Sequence, residues 1–321
     1  PILLILLPKD CLYIKFCYDA HRNRPPLGRT GKGQGMTMNK PAVLCAFADE
    51  ASGQVTEQMR ALKENGMAYL EARNVDGKNI ADLTPGEART LKERLAAQGL
   101  RVWSLGSPLG KIGIEEDFAP HLDVFRRCLE TAAITGAACI RLFSFFLPAG
   151  SDPALYRDEV MDRLSRFLEE AEGCPVVLCH ENEKGIYGDT AARCLDIHRQ
   201  LPALRAVFDP ANFIQCGQET LEAWELLAPY VEYLHIKDAL AGGQVVPAGK
   251  GDGHVPEILR RYRAQGGRVL TVEPHLAVFS GLDKLESGEK SVVDAYAYPS
   301  QRAAFDAAVA ALKACLDEEE A

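Results

Sequence analysis

Four short stretches of this 321-residue chain carry groups able to hold a cation or move a proton. They are His180-Glu181-Asn182-Glu183-Lys184, Phe208-Asp209-Pro210-Ala211-Asn212, His235-Ile236-Lys237-Asp238 and Glu273-Pro274-His275. Each follows directly on an apolar run, so its polarity falls where a strand would give way to a loop. One oxygen or nitrogen donor from each stretch selects Glu181, Asp209, His235 and Glu273. Three carboxylates with one imidazole suit one hard to borderline divalent ion, Mn2+ or Mg2+, and a set without thiolates argues against a structural zinc site. A single carboxylate at a strand end commonly caps the next helix. Four in succession point to a shared centre, against the competing explanation of helix caps and satisfied buried pairs. His180 and His275 flank the candidate ligands and read as hydrogen-bonding neighbours of the site rather than as ligands.

A second set of residues points to an anionic substrate. Lys111, Lys184, Lys237 and Lys250 fall after strand-like runs, and Arg73 and Arg141 lie at the ends of two of them. Lysine and arginine supply charge-assisted donors to phosphate or carboxylate. Lys237, close to a ligand stretch, is the strongest of these candidates. The glycines from Gly249 to Gly253 could turn backbone N–H groups toward an anion.

These residues need a scaffold that brings successive strand ends together. Apolar runs rich in Val, Ile, Leu and aromatics are expected to be strands at 42–47, 68–72, 101–105, 138–143, 176–180, 205–208, 231–236 and 268–272. Their lack of strict alternation suits parallel strands covered on both faces. Amphipathic segments lie between them. Thr84-Pro85-Gly86-Glu87 reads as a capping box, Asp152-Pro153 and Asp189-Thr190 as further helix starts, and Gly66, Gly99, Gly136 and Gly173 as helix stops. Eight such repeats predict an α/β chain folded as one (β/α)8 TIM barrel. A doubly wound open sheet is the alternative, but Ala48-Asp49-Glu50-Ala51-Ser52-Gly53 after the first strand is no dinucleotide-binding fingerprint.

The formal net charge of −9 opposes a nucleic-acid partner. Ten cysteines without a Cys-x-x-Cys pair suggest thiols in a reducing, cytoplasmic setting rather than a disulfide framework. The apolar run Ile2 to Leu7 is too short to span a bilayer, so no membrane association is expected. Residues 1–39 read as an N-terminal extension, disordered or translated from upstream, with Met36 or Met38 as the native start. The catalytic barrel would then occupy 40–321. A homo-oligomer is compatible with all of this.

The motifs as a group resemble the xylose-isomerase-like TIM barrels of the sugar phosphate isomerase/epimerase superfamily. The matching stretches are Leu178 to Glu183, Phe208 to Asn212, Tyr233 to Asp238, Gly249 to Gly253 and Val272 to His275. The resemblance implies that Glu181, Asp209, His235 and Glu273 ligate a metal and that Glu181 and Glu273 act as acid and base. It also implies a small sugar, sugar phosphate or sugar acid as substrate, isomerised or epimerised through a metal-stabilised enediolate. Asn212 stands where ketose 3-epimerases often have a substrate-binding histidine, and Ala241 where they carry an arginine. Lys237, Asn212, His180, Lys111, Arg141 and His275 are the candidate substrate contacts. An inosose-type dehydratase is the main alternative activity. A non-catalytic sugar-binding barrel and an endonuclease are weaker ones, the latter because the first three strands offer no histidine.

Overall fold

The apolar runs form eight short parallel strands: β1 (Val43–Ala46), β2 (Tyr69–Ala72), β3 (Arg101–Gly106), β4 (Cys139–Leu142), β5 (Val177–Glu181), β6 (Arg205–Phe208), β7 (Val231–Ile236) and β8 (Val269–Val272). Each pairs with its neighbour in sequence, and β1 pairs with β8 from Val43↔Val269 to Ala46↔Val272. The sheet is therefore closed, a (β/α)8 barrel rather than an open sheet. This computed structural model describes residues 41–277 and 298–320, and the stretch 1–39 expected to be an extension lies outside them.

The connecting helices are α1 (Val55–Glu64), α2 (Pro85–Ala97), α3 (Phe118–Thr135), α4 (Arg157–Glu170), α5 (Ala191–Gln200), α6 (Pro210–Gln215), α7 (Thr220–Leu227), α8 (Val255–Ala264) and α9 (Gln301–Glu320). The Thr84–Glu87 capping box starts α2 as its sequence predicts. Asp152 caps a 3-10 turn, Pro153–Tyr156, that leads into α4, and Thr190 rather than Asp189 caps α5. At the end of α3, Gly136 takes φ 79° and donates its N–H to Ala132, a conformation that costs glycine no Cβ clash. Among the described residues no helix is long and apolar enough to cross a membrane.

Alternation along each strand splits the core in two. On β5, Leu178 packs in the large cluster between strands and helices, while Cys179 joins Cys45, Trp103, Cys139, Val207, Tyr233 and Val269 inside the barrel. That inner plug is the floor on which the mouth is built. The pairing of β2 with β3 slips between Leu70 and Glu71, where Leu70 faces Val102 but Glu71 faces Ser104. Such a bulge lets two successive residues share one face. Trp103 packs edge-on against Tyr69 and Tyr233, and Ser104 also reaches the Tyr233 hydroxyl at 3.1 Å.

One buried histidine ties α3 to the loop after β3. His121 Nε2 accepts the Gly110 N–H at 2.7 Å, and its ring packs near Phe118, Phe145 and Phe167. Burial, with the Arg163 charge, pushes it down to about 4. Burial lowers His180 to about 3 and His198 to about 4 as well. Above pH 6.5 folded and unfolded chains both keep these rings neutral and stability is complete. Between about 6.5 and 4 the unfolded chain takes the protons first, so stability falls with pH, by at most about 3 kcal/mol for His121. Urea unfolding at pH 7 and pH 5 should show this loss. His121→Gln, whose amide oxygen can still accept from Gly110, should make the slope shallower; an unchanged slope would count against this role.

Candidate functional site

The four candidate ligands meet at the C-terminal mouth of the barrel. Glu181 is the last residue of β5, Asp209 precedes α6, His235 lies in β7 and Glu273 follows β8. One ligand atom from each lies within 4.8 Å of all the others, and all four side chains are buried. Ligands at about 2.0–2.6 Å from a Mg2+ or Ca2+ ion end up to roughly 5 Å apart across it, so the spacing fits one ion. The donor set also fits, being three carboxylates and one imidazole. Asp209 Oδ2, buried and without an aligned hydrogen bond, faces the same space.

The cluster's internal contacts show how its charge is held. His235 Nδ1 lies 3.0 Å from Glu181 Oε1 and 3.5 Å from Glu273 Oε2. Lys237 Nζ sits 3.0 Å from both Asp209 Oδ2 and Glu273 Oε2. Arg141 donates to Glu181 Oε2 at 2.7 Å while lying against the Phe47 and Phe143 rings. Burial works to raise all three carboxyls. For Glu181 it is outweighed by His235 and Arg141, and for Glu273 by Lys237 and His275, so both are held low. Asp209 is pushed up, because burial and its two carboxylate neighbours outweigh the help of Lys237. The acidic neighbours hold His235 and Lys237 well above their ordinary ranges despite burial.

A second polar group abuts the first. Arg73 Nε lies 2.8 Å from Asp49 Oδ2, its Nη2 3.0 Å from Glu50 Oε1 and its Nη1 3.3 Å from Glu273 Oε1. His275 Nε2 lies 3.4 Å from Glu50 Oε1 and 3.5 Å from Glu273 Oε1, and its backbone N–H donates to Glu50 Oε2. Burial raises the Glu50 carboxyl to about 8 in spite of Arg73. Glu50, Glu273 and His275 could themselves approach a cation, but the Arg73 guanidinium already lies against both carboxylates.

The remaining candidates divide. Asn212 donates from Nδ2 to Glu181 Oε1 at 3.3 Å and to the Asn182 carbonyl, so it belongs to the cluster. Lys111 pairs with Glu183 at 3.1 Å and lies over the Phe143 ring beside the mouth. His180 points to the helix layer, bonded to Ser144 Oγ at 2.9 Å and edge-on to His198 of α5; it does not join the four ligands. Lys184 is half-buried and Lys250 exposed.

The glycine loop also departs from expectation. The N–H groups of Gly249, Gly251 and Gly253 all donate to the Asp238 carboxylate, at 2.9, 3.0 and 2.9 Å, so they are committed within the fold rather than turned to an anion. A methyl on Gly251 would overlap Asp238 Oδ1 and the Ala239 carbonyl. Gly251→Ala is accordingly expected to cost about 1–3 kcal/mol in urea unfolding, as overpacking does. A cost within error of zero would mean that the loop yields easily.

Sequence reasoning passed over Asp49 and Glu50, in the 3-10 turn Ala48–Glu50 after β1, and Glu71 within β2. The signal was present in Tyr69-Leu70-Glu71-Ala72-Arg73, where charges alternate with apolar residues on one barrel-facing side.

A family model described as xylose isomerase-like TIM barrel matches residues 59–288, most of the chain and all four candidate ligands. The chain belongs to this family. Among solved structures it resembles an L-ribulose 3-epimerase, with TM-score 0.67, 18% identity, and 87% of this chain and 96% of that one covered. It also resembles the IOLI protein with a binding zinc atom, with TM-score 0.66, 14% identity and coverage of 86% and 98%. The third is the probable 3-DHS dehydratase AsbF from Bacillus anthracis, with TM-score 0.65, 16% identity and coverage of 85% and 98%. At such identities these likenesses speak for the fold of this xylose isomerase-like barrel. No curated protein matches the chain in sequence.

Proposed function

We propose that this barrel is a metal-dependent isomerase or epimerase of a small sugar, sugar phosphate or sugar acid. The observation that carries the reading is the convergence of Glu181, Asp209, His235 and Glu273 on one space at the mouth. A divalent ion there, Mg2+ or Mn2+ by the hardness of the donor set, would act as a Lewis acid toward a substrate carbonyl. Glu181 and Glu273 are the acid/base pair. They arrive on opposite sides of His235 from strands three steps apart, and both are held deprotonated by basic neighbours, the state a base requires. One, as carboxylate, removes a proton beside the carbonyl; the other returns a proton only after taking one up from solvent, and the first gives its own back to solvent to close the cycle. Arg141 and Asn212 orient the Glu181 carboxylate, and Arg73 and Lys237 orient that of Glu273. Lys111 and His275, at the rim, are the candidate substrate contacts beyond the carboxylates.

A second reading is a dehydratase, in which the same proton removal is followed by loss of a β-hydroxyl. The likeness to a probable dehydratase supports it. The test is solvent-deuterium incorporation into a panel of ketoses and sugar acids with the divalent ion supplied. Label in a substrate or epimer of unchanged composition supports the first reading, and a product lighter by one water supports the second. If no compound exchanges, both lose their basis.

A further inference from the structure

We infer that Glu71 is the positioning residue of His235, accepting its Nε2–H and thereby presenting Nδ1 to the ion site. The inference rests on the metal-centre reading above. A neutral imidazole has one N–H and one lone pair, and its surroundings decide which nitrogen carries which. Here the two nitrogens face different partners. Nδ1 looks toward Glu181 Oε1 at 3.0 Å and Glu273 Oε2 at 3.5 Å, both candidate ligands. Nε2 looks the other way, to Glu71 Oε2 at 3.3 Å. Carboxylate oxygens face both nitrogens, so the choice falls to the ion: one that takes the Nδ1 lone pair leaves the hydrogen on Nε2, where Glu71 Oε2 is placed to accept it.

Glu71 is itself held in place. Its Oε1 accepts the Tyr233 hydroxyl proton at 2.8 Å. With that proton engaged, the 3.1 Å contact between Ser104 Oγ and the Tyr233 oxygen has serine as donor. The relay therefore runs from Ser104 to Tyr233 to Glu71, which His235 meets from the other side. It depends on the β2–β3 bulge, which sets Ser104 opposite Glu71. Glu71, Tyr233 and His235 have no exposed surface. Burying a carboxylate here is costly without donors, and the donors it has are those that fix the imidazole. A carboxylate behind a metal-binding histidine fixes its orientation and raises its basicity, and losing one typically lowers metal affinity 10–100-fold.

The test uses Zn2+, which is diamagnetic, titrated into the chelator-stripped protein by calorimetry, with 15N–1H spectra of the loaded form reporting the protonated nitrogen of His235. The wild type should show Nε2–H. Glu71→Ala should bind Zn2+ about 10–100-fold more weakly and lose that signal to exchange. Glu71→Gln should keep it and recover most of the affinity, since its amide oxygen can accept from His235 while its NH2 faces the Tyr233 oxygen. The inference is overturned if the wild type carries Nδ1–H, if Glu71→Ala leaves the affinity within error, or if the two variants lose it equally. Should Glu71→Ala not fold, the wild-type spectrum still decides. A wild type that binds no Zn2+ at this site sinks the metal-centre reading too, whereas binding indifferent to residue 71 sinks only the inference.

Discussion

Glu273→Gln should slow solvent-deuterium exchange into the substrate by about 10²–10⁴-fold, the usual contribution of a positioned acid or base. The side chain it replaces is the most heavily engaged carboxylate in the mouth. Arg73 reaches one of its oxygens, and Lys237 and His235 reach the other. A glutamine of the same shape cannot take up a proton, and its NH2 must face either the guanidinium or the ammonium. Thermal unfolding and metal content of the variant separate lost chemistry from lost structure. Exchange at the wild-type rate in a folded, metal-loaded variant removes Glu273 from the acid/base role.

The second large effect is expected at Lys237. Its ammonium bridges Asp209 and Glu273 deep in the mouth, with only 4% of the residue exposed. Removing one partner of a buried ion pair typically costs up to about 3–5 kcal/mol; Arg73 and His235 still face Glu273, so the loss falls chiefly on Asp209. Lys237→Met should show that loss in urea unfolding with a chelator present. A divalent ion would supply the missing positive charge, so the deficit should shrink when Mn2+ is added. Equal deficits with and without the ion, or no deficit at all, would show that the lysine does not balance these carboxylates. The sequence assigns Lys237 to a substrate anion. The structure adds its two carboxylate partners, which its position near a strand end could not reveal.

The barrel was legible in the chain because parallel strands covered on both faces need uninterrupted apolar runs, and all eight of those runs became strands within a residue or two of their expected ends. The ligand stretches stood out because polarity following an apolar run is unusual. What escaped was polarity inside a run. Glu71 alternates with Leu70 and Ala72, a pattern that a half-exposed strand would also produce, and only closure of the barrel turns that face inward. His180 failed for the converse reason. It sits one residue from Glu181, but strand alternation sends its ring to the other side of the sheet. Likewise, the glycines from Gly249 to Gly253 read as anion-seeking until their amides are seen to share Asp238, a partner more than ten residues away.

Asp209 divides its two oxygens between scaffold and mouth. Oδ1 accepts the Asn212 N–H at the start of α6, and Oδ2 faces the other ligands. The carboxylate therefore cannot swivel without uncapping the helix. Its torsional freedom is surrendered once, when the chain folds, and none remains to be surrendered when an ion arrives. A donor frozen in advance in this way makes capture less entropically opposed than it would be for a ligand on a free loop.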